Sequence, residues 1–169
     1  MTPRRLILIR HAKAEPNGAT DAKRKLAPRG EADAVAVGEW LKQAGITTGV
    51  ALVSPAKRAA QTWELAAAQL SRAPRTVFDK RVYAATVDDL LAVVHDAPPQ
   101  TRTLLVVGHN PSIEALAAGL DDGAGDKKAA KAMKAKYPTS GIAVLTTEGP
   151  WSALALGGAS LVQFVVPRG

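Results

Sequence analysis

Cysteine is absent from this chain, and aromatic residues make up only 4% of it. Without thiols there is no disulfide scaffold and no thiolate zinc site. With so few rings, the interior must be built from Ala, Val, Leu and Ile. A hydrophobic content of 47% over 169 residues supplies enough of them for one packed domain, taken as residues 1–169. Long apolar runs are missing as well. The stretch 6–9 before Arg10 is too short for a signal-peptide core and far short of the roughly 20 residues that span a bilayer. No internal repeat or linker interrupts the pattern. The expectation is a cytoplasmic protein with no membrane partner.

Negative charge is in deficit: 15 Asp+Glu stand against 22 Lys+Arg, for a net charge of +7. Much of the surplus lies at residues 23–25 and 127–136. A solvated face accounts for it most simply, because net charge bears on solubility and non-specific binding rather than on fold. No aromatic residues are interleaved with the basic ones and no nucleic-acid motif is present, so nucleic acid is not an expected partner.

What is present is an alternation of apolar runs and helical patterns. Residues 5–9 (RLILI), 50–53 (VALV) and 103–107 (TLLVV) read as strands buried on both faces, and 76–78 (TVF) as a shorter one. Between them, Ala34, Val37, Leu41 and Ala44 recur at helical spacing in 30–44, with Gly45 as the stop. Ser54-Pro55 reads as an N-cap and first helical proline for a helix bearing Ala59, Trp63, Ala66 and Leu70. A third helix covers 87–95, and Asn110-Pro111 opens a fourth. The Lys/Ala-rich segment 126–136 reads as a fifth, with Ala129, Ala130, Met133 and Ala135 facing the body. The tail runs GIAVLTT, WSALALG and LVQFVV read as three strands added antiparallel to the sheet. The class expected is α/β: a doubly wound, mostly parallel sheet with helices on both faces and antiparallel C-terminal strands.

In such sheets ligands bind beyond the carboxyl ends of the strands. Three turns emerge there: Arg10-His11, Ser54 to Arg58, and Gly108 to Asn110. They hold two of the three histidines of the chain. Imidazole and guanidinium groups abutting buried apolar strands are unexpected for structure alone, and phosphoryl transfer gives each a task. A neutral imidazole is a competent nucleophile, so a covalent phosphohistidine can split one hard displacement into two. Arginine donates two parallel hydrogen bonds to phosphate oxygens and stays charged. Arg58, in the first turn of its helix, shares its anion with that helix's positive end. Asn110 adds a backbone donor. His95, at a helix end, suits the helix C-terminus and is given no catalytic part.

RHA at 10–12, SPAKRAAQT at 54–62 and VVGHNPS at 106–112 resemble the three signature blocks of the histidine phosphatase superfamily, the phosphoglycerate-mutase-like fold. LAPRGEADA at 26–34 resembles the segment that opens its first helix. The length, the spacing from His11 to His109 and YPTSGIAVL at 137–145 are similar to its short phosphohistidine phosphatase branch, the SixA type. The resemblance covers essentially the whole chain. It implies His11 as the phosphorylated nucleophile, Arg10 and Arg58 as phosphate clamps and His109 as a second imidazole donating to the phosphoryl oxygens. It also implies that no cofactor is needed, and no metal site can be drawn from three histidines without a tight carboxylate cluster.

Two departures bear on function. Ala12 stands where the superfamily usually has glycine, and its small side chain still lets substrate approach. The second is a missing acid. Phosphomonoesterases of the superfamily carry a proton donor near the segment that reads DKRVYAAT here (79–86), where Asp79 is the one carboxylate; Glu15 is the other in range. An alkoxide leaving group needs that proton, whereas an imidazole already protonated leaves without it. The expected partner is therefore a phosphohistidine-bearing protein. A small-molecule phosphomonoesterase on the same fold and a noncatalytic phosphate-binding adaptor remain as alternatives.

Overall fold

Leu6 and Leu8 of strand β1 (Arg4–Arg10) pack on one side of a sheet, and Ile7 and Ile9 on the other. That alternation places apolar side chains on both faces, so each face needs its own cover of helices. The structure, a computed structural model, describes residues 2–169. Its order runs β1, α1 (Pro28–Gln43), β2 (Val50–Val53), α2 (Lys57–Ala67), β3 (Arg75–Phe78), α3 (Val87–His95), β4 (Thr103–Gly108), α4 (Ser112–Leu120), α5 (Lys127–Ala135), β5 (Ile142–Thr147) and β6 (Ser160–Val165).

The strands form one six-stranded sheet in the order β3-β2-β4-β1-β5-β6. The pairs β3–β2, β2–β4 and β4–β1 are parallel, while β5 runs antiparallel to β1 and β6 antiparallel to β5. Helices α1 and α2 cover the Ile7/Ile9 face through Val37, Leu41 and Trp63. Helices α3, α4 and α5 cover the Leu6/Leu8 face through Leu90, Val93, Leu116 and Met133. The fold is therefore the α/β class expected. Among the described residues no helix is long and apolar enough to cross a membrane.

Several local readings need correction. The WSALALG run is not a strand: Trp151–Ala153 forms a 3-10 turn after Pro150, and the Trp151 indole N–H donates to the Thr101 carbonyl (2.8 Å) from a buried position. A buried ring with a polar handle anchors a turn as readily as a strand. Ser54 does not cap α2, which starts three residues later at Lys57; its Oγ accepts the Ala56 N–H instead (3.2 Å). Asn110 does not directly precede α4 either, since Pro111 intervenes, yet its Oδ1 still accepts the Glu114 N–H (3.2 Å). On α5, Ala129 and Met133 are buried as expected, but Ala135 is exposed. His95 ends α3 with its ring Nε2 on the Leu154 carbonyl (2.7 Å), which ties the helix to the Trp151 turn.

One glycine fixes the loop that follows β1. A Cβ on Gly30 would come within 1.9 Å of the Lys13 carbonyl oxygen, so only glycine lets α1 press against that backbone. The Lys13 carbonyl also accepts the Ala27 N–H (2.9 Å), and the chain just past His11 is held against the start of α1.

Candidate active site

The turns leaving β1, β2 and β4 converge at the carboxyl end of the parallel strands. His11 follows β1, and its backbone N–H donates to the Gly108 carbonyl at the end of β4 (2.9 Å). His109 follows that glycine. The two rings face each other with centroids 5.2 Å apart, and both residues are buried, at 9% and 8% exposure. Arg58, on the second position of α2, is 7% exposed beside them. Arg10 directs Nη1 to the Tyr137 carbonyl (2.9 Å), just before β5. The structure thus brings together Arg10, His11, Arg58 and His109. Asn110 is at the edge, where its Nδ2 donates to Glu114 Oε1 and to the Tyr137 carbonyl (both 3.2 Å), so its side chain braces the rim.

The SPAKRAAQT block owes part of its pattern to scaffolding. Thr62 Oγ1 donates to the Arg58 carbonyl (2.7 Å) and accepts the Ala12 N–H (3.0 Å), which ties the His11 turn to α2. Gln61 Oε1 accepts the Leu26 N–H (2.8 Å) and holds the end of the long β1–α1 loop.

The protonation states follow from these contacts. His11 Nδ1 lies 2.7 Å from the Ala12 carbonyl oxygen. A carbonyl only accepts, so Nδ1 carries the ring proton and Nε2 keeps its lone pair. Burial pushes the His11 pKa down to about 4, and the Arg58, Arg10 and Arg24 charges push the same way against the Ala12 hydrogen bond. Burial, with His11 and Arg58 nearby, holds His109 at about 3. Both rings are neutral at pH 7. His109 Nε2 is 2.7 Å from Ser54 Oγ, while its Nδ1 is buried with no partner among the described residues. Arg10 Nε is buried and unpartnered as well. Two unpaired buried polar atoms in one site mark a place where an incoming group has hydrogen bonds to make.

A model of the histidine phosphatase superfamily (branch 1) matches residues 6–82. A solved structure from Nakamurella multipartitia, proposed there to be the phosphohistidine phosphatase SixA, is 31% identical. It superposes with a TM-score of 0.89, covering 100% of this chain and 99% of that one. The chain belongs to the histidine phosphatase superfamily. A SixA relative from Agrobacterium tumefaciens is 25% identical at a TM-score of 0.81, over 99% and 100% of the two chains. An uncharacterized protein of Mycobacterium tuberculosis is 40% identical over 162 residues, 95% of this chain and all of that one. With these relatives the chain is a phosphatase whose fold matches the SixA-type structures.

Three residues of this cluster escaped the sequence. Ser54, fully buried, contacts His109 rather than capping a helix. Tyr83 sets its ring edge-on to His109, with centroids 5.6 Å apart. Its hydroxyl donates to Asp21 Oδ2 (2.6 Å), and Asp21 in turn receives Arg58: Nη2 on Oδ2 (3.1 Å) and Nη1 on the backbone carbonyl (2.8 Å). Asp79 is turned elsewhere. Arg81 grips its carboxylate (2.8 Å) and lowers its pKa. Glu15 meets Arg24 only through its backbone carbonyl (2.9 Å). Among the described residues no three His, Asp or Glu side chains form a group that could hold a metal ion.

Proposed function

We propose that the protein hydrolyses phosphohistidine borne on a partner protein, through a phosphoryl group carried transiently on His11. The observation that carries this reading is the state of His11: a buried neutral ring whose Nδ1–H is fixed on the Ala12 carbonyl, leaving Nε2 with its lone pair. Arg58 and Arg10 supply fixed positive charge where the equatorial oxygens of the transferring group accumulate negative charge. The Ser54 oxygen already accepts the Ala56 N–H, so its own hydrogen can donate to His109 Nε2; the ring proton then lies on Nδ1, ready for a phosphoryl oxygen.

The carboxylates favour a phosphoramidate over an ester. Asp79 is held by Arg81, and hydrogen bonds from Tyr83, Arg24 and Arg58 keep Asp21 well below the usual carboxylate range. Neither is a source of protons at neutral pH, which suits a leaving group that brings its own. The deciding experiment measures kcat/KM for a phosphohistidine protein, p-nitrophenyl phosphate and sugar phosphates side by side. The phosphohistidine protein should be the best substrate; preference for a sugar phosphate would overturn the reading. Turnover should also persist unchanged in excess EDTA, because the proposed chemistry needs only imidazole and guanidinium groups. Loss on chelation, restored by a divalent ion, would count against it.

A protein substrate also gives the lysines of α5 and its C-cap Lys136 a role. Lys127, Lys128, Lys131, Lys134 and Lys136 are all exposed, and among the described residues none makes a salt bridge. The segment ends at Tyr137, whose carbonyl holds Arg10. This face steers an acidic phosphoprotein toward the site. Replacing Lys128, Lys131 and Lys134 with Gln should lower kcat/KM for the phosphoprotein by about three- to tenfold at low salt. The deficit should shrink as salt screens it, while p-nitrophenyl phosphate is hardly affected. An equal response of both substrates would leave the helix as ordinary solvated surface.

A further inference from the structure

Resting on the phosphohistidine reading above, we propose that Asp21 forms the leaving-group subsite, accepting the N–H of a protonated imidazole on the substrate and so selecting phosphohistidine over phosphate esters. Asp21 opens the short 3-10 turn Asp21–Lys23 in the loop between β1 and α1, outside every recognisable block. Its Oδ2 accepts from Arg58 Nη2 (3.1 Å) and from the Tyr83 hydroxyl (2.6 Å), and its Oδ1 from Arg24 Nη1 (3.0 Å). A carboxylate has about four acceptor positions. Three are filled by named donors, and the fourth, on Oδ1, is open. The side chain is 53% exposed whereas that of Arg58 is 8% exposed, so the carboxylate stands at the rim with the guanidinium beneath it.

A carboxylate at the rim of a phosphoryl site is a liability unless something cationic offsets it. It repels the phosphoryl oxygens and competes with them for Arg58. A departing alkoxide or phenoxide makes matters worse, because negative charge builds on the leaving oxygen beside Asp21. A phosphohistidine ring protonated on its other nitrogen reverses the sign: it offers an N–H and a positive charge to the one acceptor left open.

The step then balances without a proton donor. The His11 Nε2 lone pair forms a bond to phosphorus as the bond from phosphorus to the substrate nitrogen breaks, and that electron pair returns to the substrate ring. The substrate leaves as a neutral imidazole, keeping the proton it brought. His11, with Nδ1–H on the Ala12 carbonyl and phosphorus on Nε2, takes over the positive charge. Attacking and leaving rings are thus held alike, one N–H on the Ala12 carbonyl and the other on Asp21. Water next attacks phosphorus and the bond to Nε2 breaks. Inorganic phosphate and neutral His11 result, the displaced proton passing to phosphate or solvent.

Asp21→Asn removes the charge and keeps the shape, and its test is a ratio. The kcat/KM for a phosphohistidine peptide relative to that for p-nitrophenyl phosphate should fall at least about tenfold. The alkaline limb of the kcat profile for the peptide should also move down by roughly one pH unit, because the carboxylate no longer holds the proton on the bound ring. Asp21→Glu should recover part of both effects. An equal loss with both substrates and an unmoved limb would overturn the proposal and leave Asp21 as a brace for Arg58; no change with either would overturn it outright. If the wild type itself fails to turn over phosphohistidine, the underlying reading has failed instead, and the two failures are told apart by that control.

Discussion

His11→Ala is expected to reduce turnover of every substrate by about 10⁴-fold or more, the scale on which enzymes lose rate with their nucleophile. The expectation comes from what the ring cannot share. His109 lies near enough to face it, but its Nε2 lone pair is engaged by Ser54 and its Nδ1 carries the ring proton, so it is not a spare nucleophile. The measurement is a quench experiment with ³²P-labelled substrate. Wild-type protein should retain acid-labile, base-stable label, and His11→Ala none. Label that survives acid, as on serine, would remove His11 from the role. The fold should be unaffected. The backbone N–H of residue 11 still reaches the Gly108 carbonyl, and the neighbouring N–H of Ala12 still reaches Thr62, whatever side chain residue 11 bears. A melt matching the wild type would exclude unfolding as the cause of the loss.

The parts of this molecule that could be read from sequence are those where local pattern and tertiary environment agree. Strands buried on both faces are continuous apolar runs, and β1, β2 and β4 stand out because helices cover both sides of them. Helix α3 was legible end to end, since Thr86 and Asp89 form a reciprocal capping box at its start. The WSALALG segment was misread because an apolar run does not say whether its residues pair with a neighbouring strand or plug a hole. Trp151 does the latter. Arg10, His11, Arg58 and His109 were legible because each abuts a strand or opens a helix. Asp21 and Tyr83 were not. The loop around Asp21 has no periodicity, and the contacts that bring it to the site join residues 37 and 62 positions apart. Nothing nearby in sequence records such a contact.

Arg58→Ala and Arg58→Lys should both lower kcat/KM by about 10² to 10³, the usual cost of losing a fixed donor to charge that grows in the transition state. The lysine variant is the informative one. Arg58 is planar, and in this structure Nη1 and Nη2 are both spent in part on Asp21, at 2.8 and 3.1 Å. The remaining N–H groups of the fork are then aimed in one plane, with their direction fixed by the backbone carbonyl and the carboxylate of Asp21. An ammonium group carries the same charge but has no second arm with which to be oriented, so it cannot hold Asp21 and a phosphoryl oxygen in the same fixed geometry. Inorganic phosphate should inhibit both variants more weakly than the wild type. Recovery by Arg58→Lys to within about threefold of wild type would mean that charge alone matters and the fork does not. Structural collapse does not confuse the result, because the contact that anchors the His11 turn is made by the backbone of residue 58. Its carbonyl receives Thr62 Oγ1, and that same oxygen accepts the Ala12 N–H. Both bonds survive either substitution, so a loss of activity reports on the guanidinium itself.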